Sequence, residues 1–297
     1  MFFPLVFSRF GKTKKKCYEK IKLFIGIFIV STVLVNCARE NALPESAIYQ
    51  EEIDVKKIAQ EHNQTLDFVL RTLKKKDLSK VDDIEKMIII LDEGIESYFT
   101  TTLENENLVR RAVELSNQQI AKYLNSSDKI SSKINDASPI SLVIEENESH
   151  FSDKQIYLLQ QCDQVLSDFN GNNIESVTNS FEEIKNIAQS ELSEESAQVI
   201  LIACEVGKMS STYWSENIEE WNQVLNGGAS SGKANGWFSW SEVAGADVAG
   251  AVGAAVTTAV INAIPGGGQV AYGTAIVSTA AGASVGDAVL QVWNHYF

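Results

Sequence analysis

An all-α fold is what this sequence predicts: an antiparallel helical bundle carrying a C-terminal Ala/Gly-rich helical hairpin. Three features point to it. Apolar residues recur at threes and fours from about residue 47 to residue 225, while the period-two alternation of strands is scarce. Ser and Asn residues stand where those periodic runs begin. Between Asp247 and Asp287 the chain runs for 39 residues, Val248 to Gly286, without one Asp, Glu, Lys, Arg or His.

The chain has 297 residues and a formal net charge of −14. That figure conceals an asymmetry. Residues 1–36 hold seven of the 25 Lys/Arg and one of the 39 Asp/Glu, which leaves 18 basic and 38 acidic residues, net −20, beyond them. A body this acidic repels phosphate backbones, so nucleic acid is excluded as an expected partner. The basic start is followed by Leu23–Val35, 13 uncharged and mostly apolar residues. That is short of the ~20 that span a bilayer and fits the core of a signal peptide.

This run ends in Leu34-Val35-Asn36-Cys37, which resembles the bacterial lipobox: Leu at −3, then an invariant Cys. Asn36 stands where Gly, Ala or Ser is usual. The resemblance implies that residues 1–36 are a lipoprotein signal peptide and that Cys37 becomes the acylated N-terminus. It implies a cell-envelope protein anchored to a membrane by lipid, each buried CH₂ contributing about 0.8 kcal/mol. Ala38 follows Cys37 in place of the Asp that retains lipoproteins in the inner membrane, so the outer membrane is favoured over the inner. Cys17 would be lost with the leader.

Residues 37–51 are polar, contain Pro44 and read as a tether to an acidic helical body, 52–226. The first helix is expected from about Ala47 to Leu73, with Ile53, Val55, Ile58, Leu66, Val69, Leu70 and Leu73 as its apolar positions. Ser79, with Asp82 three residues on, reads as the cap of a second helix carrying Val81, Ile84, Met87 to Leu91 and Ile95. A third is expected over about Glu104–Leu124. Residues 125–151 interrupt the periodicity and contain Pro139 and the apolar patch Ile140–Ile144. A 27-residue connection is long inside one compact domain. It either divides two three-helix units or wraps the body as a packed excursion.

Ser152 caps the next expected helix, Asn170-Gly171-Asn172 marks a turn, and a further helix covers about Asn173–Ser190. Ser193 caps a longer one that carries Trp214 and Trp221 on one face. Cys162 and Cys204 each lie in an apolar helical pattern. An oxidising envelope would permit a disulfide between them, and both equally suit small buried positions. Residues 227–236, rich in Gly and Ser, read as a linker.

No catalytic constellation emerges, so no enzymatic activity is expected. The three His, at 62, 150 and 295, match no zinc spacing, and no cofactor or metal is expected. Glu61-His62-Asn63 is the one polar cluster that could line a cleft; a lone helical His is more commonly a surface residue, or a core residue with its hydrogen bonds made. The Gly-rich stretches lack the strand and Lys-Ser/Thr of a phosphate loop.

The tail, 237–297, has two arms about Pro265-Gly266-Gly267-Gly268. Residues 246, 250 and 254 (Ala, Gly, Ala) form one row of small residues, with Gly253 beside it, and Ser278, Gly282 and Gly286 form another, beside the row begun by Gly273. Such rows let helices approach closely. Trp237, Trp240 and Trp293 sit at the open end, where indoles could anchor a bilayer boundary. The tail resembles the glycine-zipper segments of outer-membrane lipoproteins and the Ala/Gly-rich cores of small pore-forming bacteriocins, over roughly the last 55 residues. The expected function is a non-catalytic lipid-anchored envelope protein with an interaction or structural role, with a protein partner or self-association through the hairpin. The alternative is a membrane-active effector that inserts the 243–292 hairpin; a hairpin packed on the body is the competing use of the same residues.

Overall fold

The computed structural model describes residues 53–78, 81, 83–133, 137–226, 237–260 and 268–296. Cys37, Pro265, the leader, the tether and the 227–236 linker lie outside them, as do Ser79 and Asp82. The described residues are all-α, with no strand among them: α1 (Val55–Lys74), α2 (Ile84–Thr102), α3 (Glu106–Lys133), α4 (Pro139–Glu146), α5 (Asp153–Ser167), α6 (Ile174–Glu191), α7 (Glu194–Leu225), α8 (Trp240–Val260) and α9 (Gly268–Tyr296). The span Glu51–Phe297 forms one compact unit.

Side-chain caps set most of the starts. Asp54 accepts the Lys57 N–H at 2.9 Å and opens α1. Asp83 accepts the Lys86 N–H at 2.8 Å, so α2 begins at Ile84, after the Ser79 position that the pattern suggested. Ser152 and Gln155 form a reciprocal capping box on α5, and Ser193 caps the 32-residue α7. Gly171 makes the α5–α6 turn at φ +79, a left-handed conformation that favours glycine.

Residues 125–151 are more helical than their composition suggested. α3 runs on to Lys133, so its Ser/Asn-rich end does not break it. Ser138 then caps α4, with Pro139 in its first turn, where a missing N–H costs nothing. Ile140, Val143 and Ile144 are buried, and α4 packs on α8 and α5.

One continuous hydrophobic core joins every helix from α1 to α9. α9 packs on α3, α8 and α1; α8 also packs on α7, α4 and α5; α7 packs on α1, α5 and α6; and α2 lies between α1 and α3. The sequence dictates this placement. α1 is amphipathic and turns one stripe, Ile58, Leu66, Val69, Leu70 and Leu73, inward. α9 is apolar on all sides, and an all-round apolar helix is stable only where every side is covered. Its most apolar 18-residue window is 94 % buried.

Candidate functional site

The small-residue rows decide which surfaces meet. A Cβ placed on Gly282 would lie 2.5 Å from the Ser116 carbonyl oxygen, and one on Gly286 would lie 3.1 Å from Ile120 Cα. The row Ser278, Gly282, Gly286 thus faces α3 backbone to backbone, and the Ser116 hydroxyl donates to the Ser278 carbonyl at 2.8 Å. Gly250 makes the same approach from α8, where a Cβ would lie 2.7 Å from the Thr279 carbonyl oxygen. Gly253 faces Val143 of α4, and Gly273 faces Ile58 of α1. The predicted glycines within the described residues therefore touch four different helices.

Two acidic residues bracket the uncharged stretch, and both are buried within the protein. Asp247 of α8 is 0 % exposed. One of its oxygens accepts from His62 Nε2 at 2.6 Å; the other accepts from Ser210 Oγ at 2.5 Å and Trp214 Nε1 at 3.1 Å. The second ring nitrogen of His62 meets Asn63 Oδ1 at 2.9 Å. The Asn63 amide nitrogen donates to the Met209 carbonyl at 3.0 Å, which fixes Oδ1 as the atom facing the ring. Both imidazole nitrogens therefore face acceptors, so both carry a proton, and His62 is an imidazolium paired with an Asp247 carboxylate. Burial alone would push the His62 pKa down; the Asp247 charge and the hydrogen bonds outweigh it and hold it above 6.5.

The same four groups resemble catalytic parts without forming a catalytic arrangement. Ser210 donates to the carboxylate and not to the imidazole, so no base activates a nucleophile. His62, Ser210, Trp214 and Asp247 are each 0 % exposed. The network joins α1, α7 and α8 from within.

Asp287 of α9 is the second bracket. Burial, then the nearby Glu242 carboxylate, push its pKa from 3.8 up to about 8, against the opposing hydrogen bond from Gln291. It is therefore chiefly protonated at neutral pH. Gln291 Nε2 donates to Asp287 Oδ2 at 2.6 Å and to the Ser239 carbonyl at 3.3 Å, and its oxygen accepts the Ser239 N–H at 2.7 Å. One amide thus couples the start of α8 to α9. Burial also raises the Glu242 carboxyl and, with Asp287, the Tyr123 phenol.

A charged cluster lies between α6 and α7. Glu205 is 5 % exposed and pairs with Lys185 at 2.7 Å and Lys208 at 2.8 Å; Glu182 accepts from the same two lysines at 2.6 and 2.5 Å. Charges alternate around this ring, and the lysines outweigh burial to hold the Glu205 pKa low.

The other predicted residues divide as follows. Cys162 and Cys204 come together as free thiols, with sulfurs 4.0 Å apart. Trp214 and Trp221 are fully buried, as their shared face implied. Trp237 stacks on His295 at 4.2 Å, and Trp240 packs edge-on against Phe169 at 5.7 Å and covers Gly171. Trp293 is half-buried at the same end of α9. Among the described residues, no group of three or more His, Cys, Asp or Glu could hold a metal ion.

Sequence reasoning passed over Asp247, Ser210, Asp287 and Gln291. For the two acids a signal was present: they are the edges of the uncharged stretch, and an acid flanked on both sides by small apolar residues is itself a candidate for burial.

No protein-family model, curated protein or solved structure matches the chain.

Proposed function

We propose that this is a non-catalytic, lipid-anchored protein of the bacterial cell envelope, with a structural or interaction role carried by its acidic helical surface. The observation that carries the non-catalytic half is the sealed polar core: the histidine–carboxylate–hydroxyl cluster found among the described residues is wholly buried and is wired for packing. The anchor half rests on the basic leader, the 13-residue apolar run and Leu34–Cys37. In this reading the helices form an antiparallel bundle, and α8 and α9 form a hairpin about Pro265 with its small-residue rows turned onto the bundle. Cys37→Ala should move the protein from the membrane to the soluble fraction and remove the acyl mass from the N-terminal peptide. Unchanged fractionation with no acyl mass on the native peptide would defeat the anchor.

A membrane-active effector is the second reading. It is favoured by α9, a 29-residue helix long and apolar enough to cross a bilayer. It requires α9 to leave contacts with α1, α3 and α8 that bury most of its surface. Dye release from liposomes by the full-length protein supports insertion; intact vesicles across neutral and anionic lipids count against it.

A further inference from the structure

We infer that Cys162 and Cys204 are a disulfide-forming pair that ties α5 to α7 once the chain meets a thiol oxidant. The two sulfurs face each other at 4.0 Å across the α5–α7 contact, and both residues are buried, at 0 % and 2 % exposure. Bonding closes that gap by about 2 Å to a disulfide length near 2 Å, a movement within reach of side-chain rotation and a slight helix shift. The bond would enclose α6 and the turns on either side of it, since the cysteines stand 42 positions apart. It would therefore brace the α5–α6–α7 face, where the Glu182–Lys185–Glu205–Lys208 ring already ties α6 to α7.

The chemistry is thiol–disulfide exchange. One cysteine thiolate attacks the disulfide of an oxidant, either glutathione disulfide or a dithiol oxidase, and releases one thiol. The second cysteine displaces the other half as a thiol. Two protons and two electrons pass from the cysteine pair to the oxidant, so the exchange balances. The hydrogen bond with Cys162, and then burial, push the Cys204 thiol pKa up and keep it protonated in the folded protein. The bond therefore forms while the chain is folding, when the sulfurs are accessible. This inference rests on the envelope reading, because a cytosolic chain keeps its thiols reduced.

Two arms separate geometry from compartment. Full-length reduced protein is refolded in glutathione buffers and mapped without reductant. A linked Cys162–Cys204 peptide, two hydrogens lighter than the reduced pair, is expected. The melting midpoint should rise by about 5–10 °C and fall back with dithiothreitol. Cys162→Ser and Cys204→Ser should fold without that increment. Complete alkylation of both thiols at every redox ratio overturns the pair. In the second arm, cells are quenched with alkylating agent before lysis, and the linked peptide is expected again. Linkage in vitro with two free thiols in cells overturns the proposal through its compartment and leaves the geometry standing.

Discussion

Two regions of the molecule are held together by different physics. Across α5, α6 and α7, large side chains fill the space: Leu158, Leu159, Leu166, Phe181, Trp214 and Trp221 are fully buried. Each removes enough apolar surface from water to contribute about 1.5–3 kcal/mol or more. Across α8 and α9, Ala, Gly, Ser and Val dominate, and each side chain contributes little transfer energy. There the stabilisation comes from dispersion between closely opposed backbones, while hydrogen bonds to Asp247 and Asp287 offset part of the cost of burying them. The first region tolerates a shape change because a ring can move aside. The second has no such slack, since a main-chain carbonyl sits where a methyl would go.

Substitutions at two equally crowded glycines bring out this contrast most strongly. Gly282→Leu drives a side chain into the Ser116 backbone and should abolish cooperative folding, a loss beyond about 3 kcal/mol. Gly207→Ala meets the Phe181 ring at the same 2.5 Å and should cost only about 1–2 kcal/mol as the ring swings. Urea unfolding followed by circular dichroism measures both. Equal costs would erase the distinction between the regions.

Next in size is the buried ion pair. His62→Ala strands the Asp247 carboxylate and should destabilise by about 3–5 kcal/mol. The pair His62→Phe with Asp247→Leu should recover much of that loss. A double variant as unstable as the single one would mean that the network does more than satisfy itself.

Asp287 gives a pH-dependent effect of a few kcal/mol. Its pKa is raised from 3.8 to about 8, so the folded state holds a proton that the unfolded chain releases, and stability falls as pH rises between about 4 and 8. His62, also raised, adds stability that is fully present below 6.5 and is lost as pH climbs through its folded value. Glu182 and Glu205 are lowered and act oppositely, losing their contribution as pH falls below about 4.5. The melting midpoint should therefore peak in mildly acidic solution. Asp287→Asn should raise it above pH 8 and leave it nearly unchanged at pH 5. An unaltered pH profile in that variant would mean that Asp287 is not the buried acid responsible. Smallest of all, Lys74→Ala removes an exposed partner of Glu220 and should change stability by less than about 0.5 kcal/mol, by the same unfolding assay.

The amphipathic region was readable because its chemistry is local. A stripe such as Ile58–Leu73 and caps such as Ser152 and Ser193 announce themselves within one or two turns. The end of α3 was not, because Ser and Asn, common in loops, cost roughly a few tenths of a kcal/mol each in a helix and do not by themselves end one. The α8–α9 region was half legible. Its rows of small residues foretold close approach, while the identity of the surface approached depends on Ser116, Ile120 and Ile58, more than a hundred residues earlier. The buried acids were hidden for the same reason: nothing near Asp247 in sequence names His62 as its counter-charge.

The central position of α9 has a kinetic consequence. Helical bundles usually fold fast because their contacts are short in sequence. Here the hydrogen bond from Ser116 to Ser278 spans 162 residues and that from His62 to Asp247 spans 185. α9 follows in sequence every helix that encloses it, so the emerging chain holds amphipathic faces with a groove at their centre and nothing to fill it. Closing that groove requires one late, long-range step. The nascent bundle should therefore fold at the pace of a β-rich domain, with its apolar surfaces open to chaperones until α9 docks.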